Sequence, residues 1–506
     1  MAFSKINSAT VVGLNAILIE SEVDVKKGLP GLVIVGLGDK AVEESRERVK
    51  SAIVNSKQKF PRHKIIINLA PADVKKEGPA FDLAIAIGIL KADHQLEKNF
   101  NFEKSLFLGE LSLDGRARPV RGILSIMLEA KRNKIDNIFI PIDNVSEASL
   151  IKNLNIYPVS NLKDLVDHIN GIKTIKKYTY NEKTVEKNVE SESDFAYVSG
   201  QEQVKRALEI AASGGHNILM SGPPGSGKSM LAKAFATILP KLTDKEILEV
   251  SRIYSVSGLL SKEKPLIINR PVRNPHHTTS SVAIVGGGTH PKPGEITLAH
   301  RGVLFFDELP EYRRDVLEAL RQPLEDKKIT VSRAQGTLVF PANFIFIGAC
   351  NPCPCGYLND EKKNCICSPY QIIRYRKKLS GPLLDRIDIH IEVPRLSFEK
   401  LTKEAVAESS AIIRKRVERS RLVQLRRQNK INSDLSSQAI KKYCILDNQS
   451  KNILKNAIDQ LGLSARGYFK ILKIARTIAD LKGSQQINSQ YLSEALQYRP
   501  KMEENL

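Results

Sequence analysis

The segment HNILMSGPPGSGKSMLAKAFATIL, residues 216–239, carries the most specific pattern in the chain. Ile218–Met220 predict a buried strand, the run GPPGSGKS fits the phosphate-loop pattern G-x-x-x-x-G-K-[ST], and a helical pattern follows at once. Glycines let backbone N–H groups converge on phosphate oxygens, and the helix N-terminus adds a favourable dipole. The segment therefore predicts a strand–loop–helix unit that binds ATP through Gly222, Pro223, Pro224, Gly225, Ser226, Gly227, Lys228, Ser229 and Met230.

A second motif, VLFFDEL, supplies the acids that a hydrolytic site needs. Val303–Phe306 predict an apolar strand that ends in two carboxylates. We expect Lys228 to reach the β- and γ-phosphates, and Ser229 and Asp307 to hold Mg²⁺. Glu308 would polarise the attacking water. An acidic pair after a strand is by itself usually a solvated turn, so the hydrolytic interpretation depends on the phosphate loop upstream.

The interval between these two motifs is too long for one helix, one strand and a second helix. It contains RPVRNPHHTTSSVAIVGGGTHPKPGEITLAHRG, which is rich in Gly, Pro and His. We expect an insertion that carries a hairpin or loop. His276 and His277 are adjacent and would point apart on a strand, so a turn or packing role is favoured over metal binding.

Two further motifs offer polar residues at the ends of predicted elements. NFIFIGACN predicts a strand over Phe344–Ala349 that ends near Asn351, which would orient the hydrolytic water. GPLLDRID presents Arg386 after a turn, where it would neutralise charge on the γ-phosphate, often that of a neighbouring subunit. The alternative for Arg386 is a local salt bridge with Asp385 or Asp388, and the sequence alone favours that alternative.

Together these motifs resemble the ComM/YifB family of magnesium-chelatase-like AAA+ ATPases over nearly the whole chain. The resemblance is carried by GQEQVKRALEIAASGGHNILMSGPPGSGKS, RNPHHTTSSVAIVGGG, GVLFFDELPE, ACNPCPCGY, GPLLDRIDIHIEV and LSARGYFKILKIARTIADL. It implies an α/β fold with a Lon-protease-like α+β N-terminal domain, an AAA+ P-loop core with a helix-2 insert, and a C-terminal helical lid. It also implies hexameric rings that act as ATP-driven DNA branch-migration helicases in natural transformation.

The resemblance assigns roles to residues outside the phosphate loop. Asn351 is implied as the sensor-1 residue and Arg386 as the arginine finger. Arg466 is implied as the sensor-2 arginine, approaching the nucleotide from the lid. KKITVSRAQGTLVF matches a hairpin that faces the pore of the ring, and either phosphate contact or simple solvation is open for its cations Lys327, Lys328 and Arg333.

The N-terminal region departs from an active Lon-type protease, whose catalytic dyad is serine and lysine. In EGPAFDLAIA, Ala80 stands where the serine would follow Gly-Pro, and in PVRGILSI, Leu124 stands where the lysine would sit. Alanine has no nucleophilic oxygen and leucine cannot act as a base. We therefore expect no peptidase activity.

Five of the six cysteines fall between Cys350 and Cys367. Thiolates from paired cysteines can close a tetrahedral zinc site, and a loop without a long apolar run needs such a support. The sequence favours structural Zn²⁺ over a group of reduced, partly buried thiols, although C-x-C is tighter than the usual spacing. The expected ligands are Cys353, Cys355, Cys365 and Cys367, with Cys350 and Cys444 in packing roles.

The chain is basic, with 77 Lys and Arg against 56 Asp and Glu and a formal net charge of +21. Such an excess indicates a polyanionic partner or merely a Lys-rich proteome. The cations cluster at 374–378 and at 411–430, where eight face the single acid Glu418. This block would track a phosphate backbone or form a solvated helix face. We expect binding to branched or single-stranded DNA without base readout and with strong salt dependence.

Composition and periodicity suggest three folded parts. We predict a Lon-protease-like domain at 1–170, a polar linker at 171–197, an AAA+ core at 198–395 with a cysteine-rich loop at 350–367, and a helical lid at 396–506. The chain has no apolar run long enough for a membrane span and no secretory signal pattern. Clustered cysteines in a long chain suggest a reducing cytoplasm.

The favoured function is that of a hexameric ATP-dependent DNA motor. The alternatives are a metal-chelatase-type motor subunit, a protein remodeller, and a nucleotide-binding module without catalysis. The last of these is opposed by the intact residues Lys228, Asp307, Glu308 and Arg386.

Overall fold

The structure is a computed structural model that describes residues 2–36, 40–76, 78–179, 193–261, 263–288, 291–333, 336–360, 362–395, 408–461 and 464–499. The chain divides into two compact units. One comprises Met1–Lys187 with Ile247–Ile267, and the other comprises Asn188–Glu246 with Ile268–Leu506. The predicted boundary between core and lid, at 395 and 396, borders residues that lie outside the described ranges, and the domain limits stay predictions.

The first unit is built on a mixed sheet. The strands of the unit, within the described ranges, are β1 (Ala2–Val12), β2 (Asn15–Lys26), β3 (Gly31–Val35), β4 (Lys64–Ala70), β5 (Ser105–Phe107), β6 (Glu110–Leu111), β7 (Ala117–Arg118), β8 (Asn137–Pro141) and β9 (Asn155–Val159). Within the described ranges the large sheet has the order β3-β4-β2-β1-β5-β8-β9. β1 and β2 pair antiparallel with Ser8 opposite Ile19, whereas β5, β8 and β9 run parallel.

Helices cover both faces of this sheet, because alternate strand residues point to opposite sides. Ile6 and Phe107 pack in the apolar cluster around the helix Asp82–Ala92, whereas Ala9 and Leu106 pack in the cluster around Ile123–Arg132. The helix Asp82–Ala92 is apolar on nearly every side, which matches its nearly complete burial. The other helices of the unit are Lys40–Asn55, Val145–Ala148 and Leu162–Ile169.

A segment between the phosphate loop and the predicted insertion packs within this first unit. The helix Asp244–Ser257 brings Arg252, whose Nε donates to the Leu14 carbonyl at 2.9 Å and to Ser125 Oγ at 3.0 Å. Leu248 and Leu260 pack against the apolar cluster around Ile123–Arg132. Sequence spacing assigns these residues to the ATPase core, but their contacts group them with the N-terminal sheet.

Ala80 and Leu124 stand at the two positions where the resemblance to Lon-type proteases implies a catalytic dyad. Leu124 is fully buried in an apolar cluster, and the Ala80 carbonyl accepts a hydrogen bond from the Gly109 N–H at 3.0 Å. An apolar, buried side chain at the position of the general base cannot take a proton from a nucleophile.

We therefore expect that Ala80→Ser creates no protease. Neither the wild-type chain nor the variant should cleave fluorescein-labelled casein above the buffer rate, with or without ATP, while trypsin in the same assay does. Casein turnover by the wild-type chain, or turnover by Ala80→Ser above that of a wild-type sample purified in parallel, would contradict the assignment.

The second unit contains a five-stranded parallel sheet. The strands of the whole second unit, within the described ranges, are β10 (Ile218–Ser221), β11 (Val272–Arg273), β12 (Gly286–Gly287), β13 (Lys292–Pro293), β14 (Val303–Phe306), β15 (Lys328–Arg333), β16 (Gly336–Pro341), β17 (Ile345–Cys350) and β18 (Ile389–Glu392). In the part of the chain that the structure describes, the parallel sheet has the order β11-β14-β17-β10-β18. Leu219 in β10 lies opposite Gly348 on one side and His390 on the other. The strands predicted at 218–220, 303–306 and 344–349 are present within a residue or two.

Two hairpins stand beside this sheet. β12 and β13 form a short antiparallel pair in the predicted insertion, and β15 pairs antiparallel with β16 over the predicted hairpin at 327–340. Lys327 Nζ forms an ion pair with Asp434, so this cation is engaged by the C-terminal region. Lys328 is exposed, and the side chain of Arg333 lies outside the described part of the structure.

Helices complete the second unit and share one apolar core with the sheet. Ile413, Val417 and Leu472 belong to the same cluster as Ile218 and Ile347. After Glu392 the described residues form helices and turns, as predicted. The helices are Glu202–Gly214, Lys228–Phe235, Ser281–Val285, Glu295–Leu298, Arg314–Ala319, Arg321–Asp326, Pro369–Arg376, Gly381–Leu384, Ser410–Gln428, Ser437–Tyr443, Asn448–Leu461, Ala465–Leu481 and Ser489–Gln497. Among the described helices, none combines the length and apolar character that a membrane crossing requires.

Candidate nucleotide-binding and hydrolysis site

The phosphate loop follows β10 at the carboxyl end of the parallel sheet, where open α/β sheets bind ligands. It connects β10 to the helix Lys228–Phe235. A Cβ on Gly222 would lie 2.3 Å from the Val393 carbonyl oxygen, so only glycine fits there. Gly227 has φ = +89°, a left-handed conformation that glycine adopts without strain. The predicted strand–loop–helix unit is present.

Lys228 bridges the loop to the neighbouring strand. Its Nζ donates to the carbonyls of Gly222 at 2.7 Å and Pro223 at 2.9 Å, and to Asn351 Oδ1 at 3.3 Å. Asn351 directly follows β17, so the structure brings these two predicted residues together. Burial lowers the pKa of Lys228 from its usual value, and the nearby carboxylates of Asp307 and Glu308 act in the opposite direction.

The predicted magnesium ligands are also in contact. Ser229 Oγ donates to Asp307 Oδ2 at 2.6 Å. A hydroxyl and a carboxylate this close supply hard oxygen atoms of the kind that Mg²⁺ prefers. The residues present therefore fit a magnesium ion, with Ser229 and Asp307 as its protein ligands.

Glu308 is exposed at the end of β14 and lies in an unusual backbone conformation. Its φ and ψ are 50° and 46°, in the left-handed region that a non-glycine residue seldom adopts. Its N–H donates to Asp307 Oδ1 at 3.0 Å. Strained residues of this kind cluster at functional sites. The turn separates the two acids, leaving Asp307 half-buried beside Ser229 and Glu308 open to solvent.

The histidine-rich motif packs beside this acidic turn. The Tyr312 ring stacks on Phe306 with centroids 4.2 Å apart, and its hydroxyl donates to the Pro275 carbonyl at 2.5 Å. His277 meets the Tyr312 ring edge-on. His276 Nδ1 lies 2.9 Å from Thr278 Oγ1. These contacts give both histidines the turn and packing roles that the sequence favours.

The two predicted arginines lie together. Arg386 Nη2 and Arg466 Nη2 both contact the carboxylate of Glu325, the second at 3.0 Å. Arg386 Nη1 also donates to the Pro382 carbonyl at 2.7 Å. Asp388, the alternative partner of Arg386, instead pairs with Lys470 Nζ at 3.0 Å.

The site residues thus form two groups. One surrounds the phosphate loop, and the other joins the two arginines through Glu325. Sequence reasoning missed Glu325, which lies in RQPLED just before the hairpin. Its signal in the sequence is no stronger than that of its acidic neighbour Asp326.

The four predicted zinc ligands converge. Cys353 Sγ lies 3.4 Å from Cys355 Sγ and 3.7 Å from Cys365 Sγ, and all four sulfur atoms, including that of Cys367, are within 4.8 Å of one another. Zn–S bonds of about 2.3 Å in a tetrahedron place sulfur atoms about 3.8 Å apart. The cluster therefore fits a structural zinc ion. Within the described ranges it is the one group of three or more His, Cys, Asp or Glu residues close enough for a metal.

The cysteine turn packs on the phosphate loop. Gly356 follows Cys355, and a Cβ on it would lie 2.5 Å from Pro224 Cδ and 3.7 Å from Asn351 Cγ. Its φ of +85° also requires glycine. A metal ion that stabilises the cysteine turn would therefore also stabilise the phosphate loop on which the turn packs.

We expect metal removal to weaken nucleotide binding. The purified chain should carry about one zinc per subunit, because structural sites of this kind bind tightly. The variant Cys353→Ser with Cys365→Ser should lose zinc and bind a fluorescent ATP analogue about 10-fold more weakly, since Gly356 no longer supports Pro224.

Metal content by mass spectrometry and a binding titration measure both effects. Cys444→Ser is the matched control, and this variant should keep the metal. Cys444 is a buried cysteine in the C-terminal helical region and is not one of the four clustered cysteines. Natively purified protein without zinc would contradict the assignment.

Part of the basic block is internal. In the helix Ser410–Gln428, Arg416 pairs with Glu209 and Glu408, and half-buried Arg421 donates to the Ala212 carbonyl. Arg427 forms two hydrogen bonds to Asp480, at 2.7 and 2.8 Å. These arginines stabilise packing between helices. The exposed cations of the block are Lys415, Arg419, Arg426 and Lys430. In the other cluster, Lys378 pairs with Glu311.

Known protein families and relatives match this chain over nearly its whole length. Residues 194–401 match the family described as magnesium chelatase, subunit ChlI, residues 21–144 match subunit ChlI of Mg-chelatase, and residues 407–499 match its C-terminal part. The chain is 44% identical to competence protein ComM of Haemophilus influenzae over 504 residues, which is 99% of this chain and 98% of that protein.

Two other relatives give the same picture. The chain is 42% identical to the uncharacterized protein YifB of Salmonella typhimurium over 99% of its own length and 97% of that protein. It is 26% identical to Lon protease 2 of Bacillus subtilis over 227 residues, 41% of either chain. The fold class is thus confirmed: a Lon-protease-like α+β N-terminal domain, an AAA+ P-loop core with a helix-2 insert, and a C-terminal helical lid. The chain belongs to the ComM/YifB family of magnesium-chelatase-like AAA+ ATPases.

Proposed function

We propose that the protein is a hexameric, ATP-dependent DNA motor that promotes branch migration when incoming DNA recombines during natural transformation. The observation that carries this proposal is the hydrolytic arrangement at the end of the parallel sheet, where Lys228 meets Asn351 and Ser229 meets Asp307. The full-length similarity to a competence protein supplies the biological setting. We place the activity in the cytoplasm, where ATP and recombining DNA meet.

The residues of the site divide the work of ATP hydrolysis. The loop 222–227 and Lys228 hold the phosphates, and Asn351 orients the attacking water. Glu308 accepts a proton from that water as it attacks. A bound magnesium ion would neutralise charge that develops on the β- and γ-phosphates. Ser229 and Asp307 fix the oxygen atoms that receive it.

Assembly into a ring would supply a further positive charge to each nucleotide, from an arginine of the neighbouring subunit. Arg386 and Arg466 contact Glu325, whereas Lys228 contacts the loop carbonyls and Asn351. These different partners support an arginine finger that serves the nucleotide of a neighbouring subunit, as is common in ATPases with this loop. A homo-hexamer then contains six such shared sites.

Binding to DNA would be electrostatic. The net charge of +21 and the exposed cations Lys415, Arg419 and Arg426 favour a polyanion, and Lys328 on the hairpin adds another. Contacts of this kind track phosphates and carry no sequence information. We therefore infer binding to branched or single-stranded DNA that weakens steeply with salt.

The experiment compares ATP hydrolysis with single-stranded, duplex, forked and four-way DNA, and with an unfolded protein. Forked and four-way DNA should stimulate turnover most, and stimulation should fall as salt rises from 50 to 200 mM. Stimulation by the unfolded protein alone would favour a protein remodeller. Turnover indifferent to both would favour a chelatase-type motor subunit, to which the matching families belong.

A further inference from the structure

Glu325 joins the two predicted catalytic arginines. One carboxylate oxygen contacts Arg386 Nη2, and the other accepts from Arg466 Nη2 at 3.0 Å. Glu325 lies in the last turn of the helix Arg321–Asp326. Arg386 lies just after the short helix Gly381–Leu384, and Arg466 lies in the first turn of the helix Ala465–Leu481. One side chain therefore connects three elements that are distant in sequence.

Arg386 is held on two sides. Its Nη1 donates to the Pro382 carbonyl at 2.7 Å and its Nη2 to Glu325. Only 16% of its side chain is exposed, against 55% for Arg466. Fixed positions of this kind are what a charge-stabilising group needs, because it then requires no reorganisation during reaction.

The helix that carries Arg466 is tied to the segment that carries Arg386. Lys470, one turn after Arg466, donates to the Ile387 carbonyl at 3.1 Å and pairs with Asp388 at 3.0 Å. Asp388 also lies 3.5 Å from His216 Nδ1. The two arginines are thus linked twice, through Glu325 at their tips and through Lys470 at their backbones.

We propose that Glu325 is a positioning residue that presents Arg386 and Arg466 as one unit to the γ-phosphate. This inference rests on the proposed ATPase function and deepens it. Two guanidinium groups side by side repel each other, and a carboxylate between them offsets that repulsion. Each guanidinium has five N–H donors, so both can bind phosphate oxygens while Glu325 keeps one donor of each.

The test separates positioning from folding and from nucleotide affinity. Glu325→Gln keeps the shape but removes the charge. It should lower kcat for ATP about 10-fold, because displaced arginines stabilise the transition state less well, while KM changes less than about 2-fold. Glu325→Asp, which keeps the charge on a shorter side chain, should retain more activity than Glu325→Gln.

An arginine background shows whether Glu325 acts through its partners. In Arg466→Ala, adding Glu325→Gln should lower kcat less than it does in the wild-type chain, because one of the two groups that it positions is gone. Glu318→Gln is the matched control and should leave kcat unchanged. Glu318 lies on the preceding helix, Arg314–Ala319, and pairs with Arg321 rather than with either predicted catalytic arginine.

The outcomes are distinct. Unchanged or increased kcat in both Glu325 variants would overturn the inference, as would a loss confined to KM or an undiminished effect in the Arg466→Ala background. If Glu325→Gln fails to fold by circular dichroism, Glu325→Asp with its kcat and KM decides in the same way. A wild-type chain that hydrolyses no ATP would overturn the proposed function itself.

Discussion

Replacing Glu308 by glutamine should stop ATP turnover while ATP remains bound. Glutamine has the same shape but cannot accept a proton from water, and a positioned general base contributes about 10²- to 10⁴-fold to a rate. We expect kcat to fall about 1,000-fold. Affinity should persist, because Lys228, the loop and the Ser229–Asp307 pair are untouched.

Two controls frame this result. Lys228→Ala should weaken binding of a fluorescent ATP analogue, since it removes the ammonium that holds the phosphates. Glu311→Gln changes an acid three residues beyond Glu308 that pairs with Lys378, and it should leave turnover near the wild-type value. Glu308→Gln that hydrolyses bound ATP with more than a tenth of the wild-type rate constant in a single-turnover assay would show that another group is the base.

Arg386→Ala should be nearly as severe, with binding again preserved. An arginine finger is worth about 10³- to 10⁵-fold in kcat, so a loss of about 1,000-fold is expected. Arg313→Ala is the control, because Arg313 is an exposed arginine that pairs with Asp315.

Mixing shows where the arginine acts. Glu308→Gln chains keep Arg386, and Arg386→Ala chains keep Glu308. If the finger serves a neighbouring subunit, mixed rings contain interfaces with both groups, and the mixture should hydrolyse more ATP than the sum of its parts. A mixture that is merely additive, in rings confirmed by mass photometry, would place Arg386 on its own nucleotide.

Local patterns predicted most of the nucleotide site. The loop, its two acids and Asn351 each follow a recognisable strand, and the parallel sheet brings strand ends to one edge. The same logic predicted the cysteine cluster from its two C-x-C pairs. It did not predict that Gly356 packs on Pro224, because that contact joins loops far apart in sequence.

The charged residues were harder to predict. The sequence favoured Asp385 or Asp388 as the partner of Arg386. In the structure Asp388 pairs with Lys470, and Arg386 pairs with Glu325, 61 positions away. In the sequence Arg427 belongs to the basic block at 411–430, but in the structure it forms an ion pair with Asp480. Closeness in sequence is therefore a poor guide to ion-pair partners, because the tertiary fold decides which charged groups are buried beside each other.

The helix Asp244–Ser257 was also not assigned correctly from the sequence. It lies inside the predicted ATPase core at 198–395, upstream of the predicted insertion. Arg252 and Leu248 nevertheless pack with the N-terminal sheet. Only the structure could assign it, because amphipathic helices do not encode which apolar surface they cover.

Movement of a DNA branch is the most direct test of the central claim. A labelled four-way junction is incubated with the wild-type chain and ATP, and the appearance of resolved duplex arms is followed on a gel. We predict ATP-dependent branch movement by wild-type rings and none by Glu308→Gln rings that still bind the junction. Wild-type rings that hydrolyse ATP and bind the junction yet never move the branch would contradict the account.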